Sequence, residues 1–168
     1  MSSPRHPFRI NVGFIIHDEV GYSAQFPFEF DKVRLGGDLT LTDFSGVVDV
    51  GRTPQGLVVT GHFDAQTVAE CARCLKMFDQ QLSWDMTELY AFTEKSVSES
   101  DLLVPEDAKI DLEPIIRDYA LLEVPISPIC KPDCKGLCPV CGQDLNVRDC
   151  GHRQEGDESP FSSLKNLL

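Results

Sequence analysis

Residues 39–69 read LTLTDFSGVVDVGRTPQGLVVTGHFDAQTVA and decide the fold. Apolar residues alternate with polar ones on both sides of the tetrapeptide TPQG at residues 53–56, as expected of strands that bury one face. The Pro and Gly of this tetrapeptide favour a tight reversal of the chain. The stretch therefore predicts a long β-hairpin in which Thr60 and His62 face away from the core. Four apolar side chains of the returning strand are predicted to face inward: Leu57, Val59, Phe63 and Ala65.

Strand patterns continue on both sides of this hairpin. Residues 8–16 form a short apolar-rich run, and residues 78–92 alternate apolar with polar side chains. A third alternating run centres on Phe28, although it contains Pro27, which is disfavoured in a central strand. Together with the hairpin, these runs predict an antiparallel β-meander or a small barrel.

One main helix is predicted after the acidic, serine-containing loop at residues 93–109. Asp111 is placed to cap this helix, and Pro114 is tolerated in its first turn. We expect the helix at about residues 111–124, ending near Pro125. Its apolar stripe at helical spacing is formed by Leu112, Ile115, Ile116, Tyr119 and Leu122.

These elements predict an α+β fold, and the length of 168 residues suits one ordinary domain with a small appendage. We expect residues 1–129 to form a β-rich domain that includes the helix. Residues 130–168 are expected to form a cysteine-rich segment and tail packed on the same domain. Phe161, Leu164 and Leu167 in the tail predict a short docking helix.

The chain is acidic, with a formal net charge of -12 at pH 7. Nucleic-acid binding relies on clustered Lys and Arg that neutralise phosphates, so this charge argues against direct binding of free RNA or DNA. It suits solubility or a basic protein partner. Residues 1–14 lack the apolar core of a signal peptide, and no run approaches the roughly 18 apolar residues of a membrane span. We therefore expect a cytoplasmic protein that does not enter a membrane.

Six of the seven cysteines occur in closely spaced pairs. In a reducing compartment such pairs favour metal ligation or redox chemistry over disulfides. Two or three intervening residues allow a tight turn to aim two thiolates at one tetrahedral ion, about 2.3 Å from each sulfur. Gly142, directly after the last pair, permits the backbone to turn back there. The sequence therefore predicts a structural zinc site with six candidate ligands: Cys71, Cys74, Cys130, Cys134, Cys138 and Cys141.

The pairs can be combined in three ways. A local site would use only the four later cysteines, whereas a long-range site would join Cys71 and Cys74 to one of the later pairs. All six can also serve one site with spare ligands, or two ions. We favour the long-range site, because the first pair otherwise has no partner and a longer loop costs little more to close. Cys150 is interpreted as a free or accessory thiol, and His152 as a solvated side chain.

The sequence also fits two other functions. A local basic face would fit a zinc-ribbon module that binds nucleic acid, and a cysteine pair can form a redox switch. The sequence has no phosphate-binding Gly-rich loop and no Ser-centred nucleophile elbow, so we expect no enzymatic activity. The basic residues near the cysteines, which can also offset thiolate charge, are Arg73, Lys76, Lys131 and Lys135.

Several sequence blocks resemble the YceD family, also called large ribosomal RNA subunit accumulation proteins. The most distinctive are ECARCL at residues 70–75 and CKGLCPVCG at residues 134–142, followed by Asp144-Leu145-Asn146. The resemblance extends over about residues 10–146. The tail departs from the family, because Ser159-Pro160-Phe161 lacks the charges of its usual Asp-Pro-Arg-type ending.

This resemblance implies a role in accumulation or processing of large-subunit (23S) ribosomal RNA, and it supplies no catalytic residues. Combined with the acidic charge, it leads us to expect a zinc-stabilised adaptor that acts through a basic ribosomal protein or assembly factor.

Overall fold

The computed structural model describes residues 7–96 and 101–152. Four long strands, two short strands and two α-helices make up this part of the chain. In chain order the elements are β1 (Arg9–Asn11), α1 (Gly13–Ile16), β2 (Ser23–Leu35), β3 (Leu39–Arg52), β4 (Gly56–Glu70), β5 (Met77–Ala91), a 3-10 turn (Glu94–Ser96), β6 (Lys109–Asp111) and α2 (Glu113–Glu123).

The four long strands form the predicted antiparallel meander, in the order β2-β3-β4-β5. Strands β2 and β5 lie at opposite edges, and no ladder within residues 7–96 and 101–152 joins them. The barrel alternative is therefore wrong. Instead of closing on itself, the sheet packs its apolar face against Ile10 of β1, Ile110 of β6 and Ile116 of α2. Pro27 is accommodated because β2 is an edge strand.

The core confirms the alternation predicted for the central hairpin. Leu57, Val59, Phe63 and Ala65 are all buried, and Thr60 and His62 are exposed. An aromatic group anchors the core, with the Phe63 ring 5.6 Å from Phe44 and 5.5 Å from Trp84 between centroids.

The N-terminal run differs from its prediction as one strand. Only residues Arg9–Asn11 are extended, because Ile10 pairs with Ile110 of β6, and one turn of helix follows. The main helix lies within the predicted range, but its N-cap is Leu112 rather than Asp111, and Leu122 of the predicted apolar stripe is 84% exposed because the helix buries only Ile116 and Ala120. Asp111 Oδ1 instead accepts a hydrogen bond from the Glu113 N–H at 3.1 Å just before the helix. Neither helix of the described ranges is long and apolar enough to cross a membrane. The proposed docking helix in the tail lies outside the described residues.

Candidate metal centres

The turn that joins β4 to β5 carries the first cysteine pair. The Cys71 N–H donates to the Lys76 carbonyl at 2.9 Å, and the Leu75 N–H donates to the Cys71 carbonyl at 2.9 Å. Leu75 has a φ of 57°, in the left-handed region that a bulky residue rarely adopts. These bonds fold the chain back so that Cys71 and Cys74 face the same side.

Cys130 and Cys134 meet this pair and complete a group that we call the long-range quartet: Cys71, Cys74, Cys130 and Cys134. The Sγ atoms of Cys71 and Cys134 are 3.9 Å apart, and those of Cys74 and Cys130 are 3.7 Å apart. Four sulfurs placed tetrahedrally about 2.3 Å from one ion would be separated by about 3.8 Å. The quartet therefore has the size of a four-thiolate zinc site, and its members are buried except for the partly exposed Cys130.

The thiols of the long-range quartet differ strongly in pKa. Backbone hydrogen bonds from Cys130, Cys74 and Arg73 lower the pKa of the Cys71 thiol to about 6. Burial, together with the neighbouring thiols, raises the pKa of Cys130 to about 12. One thiol of the group is thus easily deprotonated, whereas a second deprotonation is unfavourable. A bound divalent ion would offset the added negative charge and allow the remaining thiols to lose their protons.

Side chains around the quartet fix its position. The Asn146 Nδ2 group lies 3.5 Å from the Cys134 sulfur, and Asn146 Oδ1 accepts from the Lys135 N–H at 2.9 Å. Asp144 lies 2.5 Å from the Lys76 ammonium, which lowers the pKa of the Asp144 carboxyl to about 2. Residues 144–146, known from the sequence only as part of a family resemblance, thus form the second layer of this site.

Backbone contacts hold the two cysteine-bearing segments together. The Leu137 N–H donates to the Arg73 carbonyl at 3.0 Å, and the Ala72 N–H donates to the Pro128 carbonyl at 2.8 Å. Gly136 has a φ of 76°, and a Cβ there would lie 3.0 Å from the Arg73 oxygen. The close approach at Gly136 therefore requires glycine both for its φ and for space.

Cys138 and Cys141 do not join the long-range quartet. They belong to a second group, which we call the local quartet: Cys138, Cys141, Cys150 and His152. Its four ligand atoms lie within 4.8 Å of one another. Cys150 and His152, interpreted from the sequence as an accessory thiol and a solvated side chain, both lie within reach of this cysteine pair. Gly151 after Cys150 repeats the Cys141-Gly142 pattern and is the sequence signal that identifies this group.

The basic residues are partly used inside the molecule. Arg73 Nη1 donates to the Cys134 carbonyl at 2.9 Å, Lys76 pairs with Asp144, and the Lys131 ammonium lies 3.7 Å from Asp133. The basic face that a nucleic-acid module would need is correspondingly reduced.

Comparisons with known proteins give a family match and several similar proteins. The family described as "Large ribosomal RNA subunit accumulation protein YceD" matches residues 59–168. An uncharacterized protein of Mycobacterium tuberculosis is 36% identical over 159 residues, covering 92% of this chain and 74% of that protein. The Arabidopsis thaliana chloroplastic protein named "Large ribosomal RNA subunit accumulation protein YCED homolog 1" is 41% identical over 63 residues, covering 38% of this chain and 20% of that protein.

No solved structure matches the chain significantly. The family match includes both cysteine pairs of the long-range quartet as well as the local quartet. The chain belongs to the YceD family of large ribosomal RNA subunit accumulation proteins.

Proposed function

We propose that this protein is a zinc-stabilised, non-catalytic factor that supports accumulation or processing of large-subunit ribosomal RNA. The observation that carries the zinc assignment is the sulfur spacing of the long-range quartet, 3.9 Å and 3.7 Å across its two segments. Four thiolates at this spacing are typical of a closed structural zinc site, which has no open position for a substrate. The link to ribosomal RNA rests on family membership and on the names of the plant relatives.

In this proposal the thiols of the long-range quartet are ligands rather than nucleophiles. Cys71, Cys74 and Cys134 are buried, whereas a catalytic or redox-sensing thiol has to be reached by its reaction partner. The metal would join the β4–β5 turn to the segment after α2. Its contribution is to fix the surface formed by these two parts of the chain.

The proposed partner is a basic ribosomal protein or assembly factor. The formal net charge of -12 repels phosphate backbones and attracts basic surfaces. Arg73 and Lys76 have internal partners, which leaves less positive charge for RNA. We therefore assign the protein an adaptor role at the assembling subunit.

A binding experiment distinguishes the adaptor from an RNA-binding module. The full-length, zinc-loaded chain is titrated with purified basic large-subunit ribosomal proteins and, separately, with large-subunit ribosomal RNA fragments. We expect saturable binding to a basic protein that weakens as salt rises, and no RNA binding at physiological salt. Tight RNA binding with a steep salt dependence would contradict the adaptor role and support the zinc-ribbon alternative.

A cellular experiment tests the ribosomal role itself. Removal of the gene from its own organism should lower mature large-subunit ribosomal RNA relative to small-subunit RNA. The wild-type gene should restore the ratio, and the Cys71→Ser/Cys134→Ser variant should restore it less well because the metal link is lost. An unchanged ratio in the deletion strain would remove the ribosomal part of the proposal.

A further inference from the structure

The local quartet is not needed for the link proposed above, yet it has the properties of a ligand set. Its four members share no residue with the long-range quartet, and their ligand atoms lie within 4.8 Å of one another. We propose that Cys138, Cys141, Cys150 and His152 bind a second zinc ion through three thiolates and one imidazole. This inference goes beyond the proposed function, which requires only the long-range quartet.

The first half of the local quartet repeats the backbone geometry of the β4–β5 turn. The Cys138 N–H donates to the Gln143 carbonyl at 2.8 Å, and the Gly142 N–H donates to the Cys138 carbonyl at 2.8 Å. These bonds have the same spacing along the chain as those that begin at Cys71. Such a turn directs both cysteine side chains of a pair to one point, as a tetrahedral ion requires.

Backbone donors stabilise a thiolate in this turn. Cys141 and then Val140 donate backbone hydrogen bonds to the Cys138 sulfur, an arrangement that the Cys71 sulfur shares. Gly142 has a φ of 72°, and no heavy atom lies within 4 Å of a Cβ placed there. Glycine is therefore needed at this position for its conformation and not for space.

The second half of the local quartet comes from residues 150–152. The Cys150 sulfur lies within 4.8 Å of the sulfurs of Cys138 and Cys141, and it accepts a backbone hydrogen bond from His152. Gly151 has a φ of 75° between the two ligands. The left-handed glycine reverses the chain so that the Cys150 thiol and the His152 ring both approach the first pair.

The donor set identifies the class of metal. Three soft thiolates with one imidazole form a Cys3His set, which is characteristic of four-coordinate structural zinc. All four positions are supplied by the chain, so the site resembles a structural site rather than a catalytic one with an open position. The group contains no carboxylate, which argues against calcium or magnesium.

Exposure separates the local quartet from the long-range quartet. Cys141 and His152 are exposed and Cys150 is half-buried, whereas only Cys138 is buried. A chelator in solvent can reach such ligands directly, but it reaches the buried sulfurs of the long-range quartet only after the chain opens. The second zinc ion should therefore leave first.

Zinc analysis of the purified full-length chain tests the site. We expect about two zinc ions per wild-type chain and about one in the Cys150→Ser/His152→Asn variant. The matched control His17→Asn changes an exposed histidine that lies far from both quartets in sequence and should keep the wild-type zinc content. One zinc per wild-type chain, an unchanged content in the double variant, or loss of both ions from it would each contradict an independent second site.

A chelation time course assigns each ion without any substitution. The wild-type chain is exposed briefly to a chelator, its free thiols are alkylated, and the modified cysteines are located by peptide mass spectrometry. We expect Cys138, Cys141 and Cys150 to be modified first while the four cysteines of the long-range quartet stay protected. Modification of the local cysteines before chelator is added would overturn the second site, and unprotected long-range cysteines would instead overturn the proposed structural link.

Discussion

The two cysteine quartets share one turn geometry but differ in burial and in the length of chain that they enclose. The long-range quartet joins residues 71–74 to residues 130–134, and three of its four thiols are buried. The local quartet lies within residues 138–152, and only one of its thiols is buried. Two similar ligand sets, one of four thiols and one of three thiols with an imidazole, thus lie in different structural settings.

This difference separates what each metal would do for the fold. A metal in the long-range quartet would hold the β4–β5 turn against the segment after α2, so its loss would release tertiary structure. A metal in the local quartet would order only a short loop, so its loss should affect the sheet little. Because loop-closure entropy grows only slowly with length, burial and second-layer contacts should distinguish the two sites more strongly than sequence separation.

The largest expected effect comes from breaking the long-range quartet. In the Cys71→Ser/Cys134→Ser variant we expect a loss on the order of 4 kcal/mol in the free energy of unfolding, since a lost metal belongs to the most damaging class of changes. This corresponds to a fall in Tm of roughly 10 °C for a chain of this size. Thermal unfolding followed by circular dichroism, with zinc content measured in parallel, checks the prediction.

The matched variant Cys141→Ser/Cys150→Ser supplies the comparison. It removes the same number of thiols from the local quartet and should lower Tm by less than about 4 °C, since about 1 kcal/mol is lost. The fluorescence of Trp84, the only tryptophan of the chain and part of the sheet core, shows whether the sheet survives in each variant. Equal losses in the two variants would mean that burial does not distinguish the quartets.

The fold and the candidate sites were predictable from the sequence to different extents. The hairpin and the cysteine pair at Cys71 have local signals, namely alternation, a Pro-Gly turn and close spacing. The pairing of Ile10 with Ile110 has none, since a strand of three residues leaves no periodic pattern. The pair Cys138 and Cys141 was recognised from its spacing, but Cys150 and His152 were not included with it, because a lone histidine is ordinarily solvated and only its position after Cys150-Gly151 marks it.

Substitution of one glycine near each quartet should give losses of intermediate size in the free energy of unfolding. Gly136→Ala should cost about 2 kcal/mol, because Gly136 has a left-handed φ and a Cβ there meets the Arg73 carbonyl. Gly142→Ala should cost about 1 kcal/mol, because it has the same kind of φ but open space around it. Denaturant unfolding of both variants measures the difference. A larger loss of stability in Gly142→Ala than in Gly136→Ala would show that Gly136 is not needed for close packing between the two segments.

Leu75 tests whether the two turns are equivalent. Leu75 lies four residues after Cys71, as Gly142 lies four residues after Cys138. It has a φ of 57°, and its side chain is 57% exposed. In Leu75→Gly, relief of the left-handed strain should offset the added freedom of the unfolded chain, so the free energy of unfolding should stay within about 1 kcal/mol of wild type. Chemical denaturation measures this change. A loss well above that range would assign the Leu75 side chain a stabilising contact that the second turn lacks.

The smallest effect concerns His62 on the outer face of the sheet. The stability that His62 contributes should change with pH in the opposite direction to the stability contributed by the metal centres. Asp85 Oδ1 lies 2.7 Å from His62 Nδ1, and Asp64 lies 3.4 Å from Nε2. The hydrogen bond with Asp85, reinforced by Asp64, raises the pKa of His62 above its ordinary value of 6.5. The stability that His62 contributes is therefore fully present below the unfolded-state pKa and is lost as pH rises through the folded-state pKa.

Thiol ligation of zinc changes with pH in the opposite direction, because the ligands must lose protons to bind. Unfolding of the wild type and of His62→Gln, compared at saturating zinc from about pH 5.5 to pH 8.5, separates the two effects. We expect the wild type to be the more stable at the acidic end and the difference to shrink as pH rises. Asp85→Asn should remove most of the difference, since it removes the main partner. If the stability difference between wild type and His62→Gln grew with pH, the effect would have to be assigned to the metal ligands. A stability difference that did not change with pH would show that His62 has no pH-dependent role.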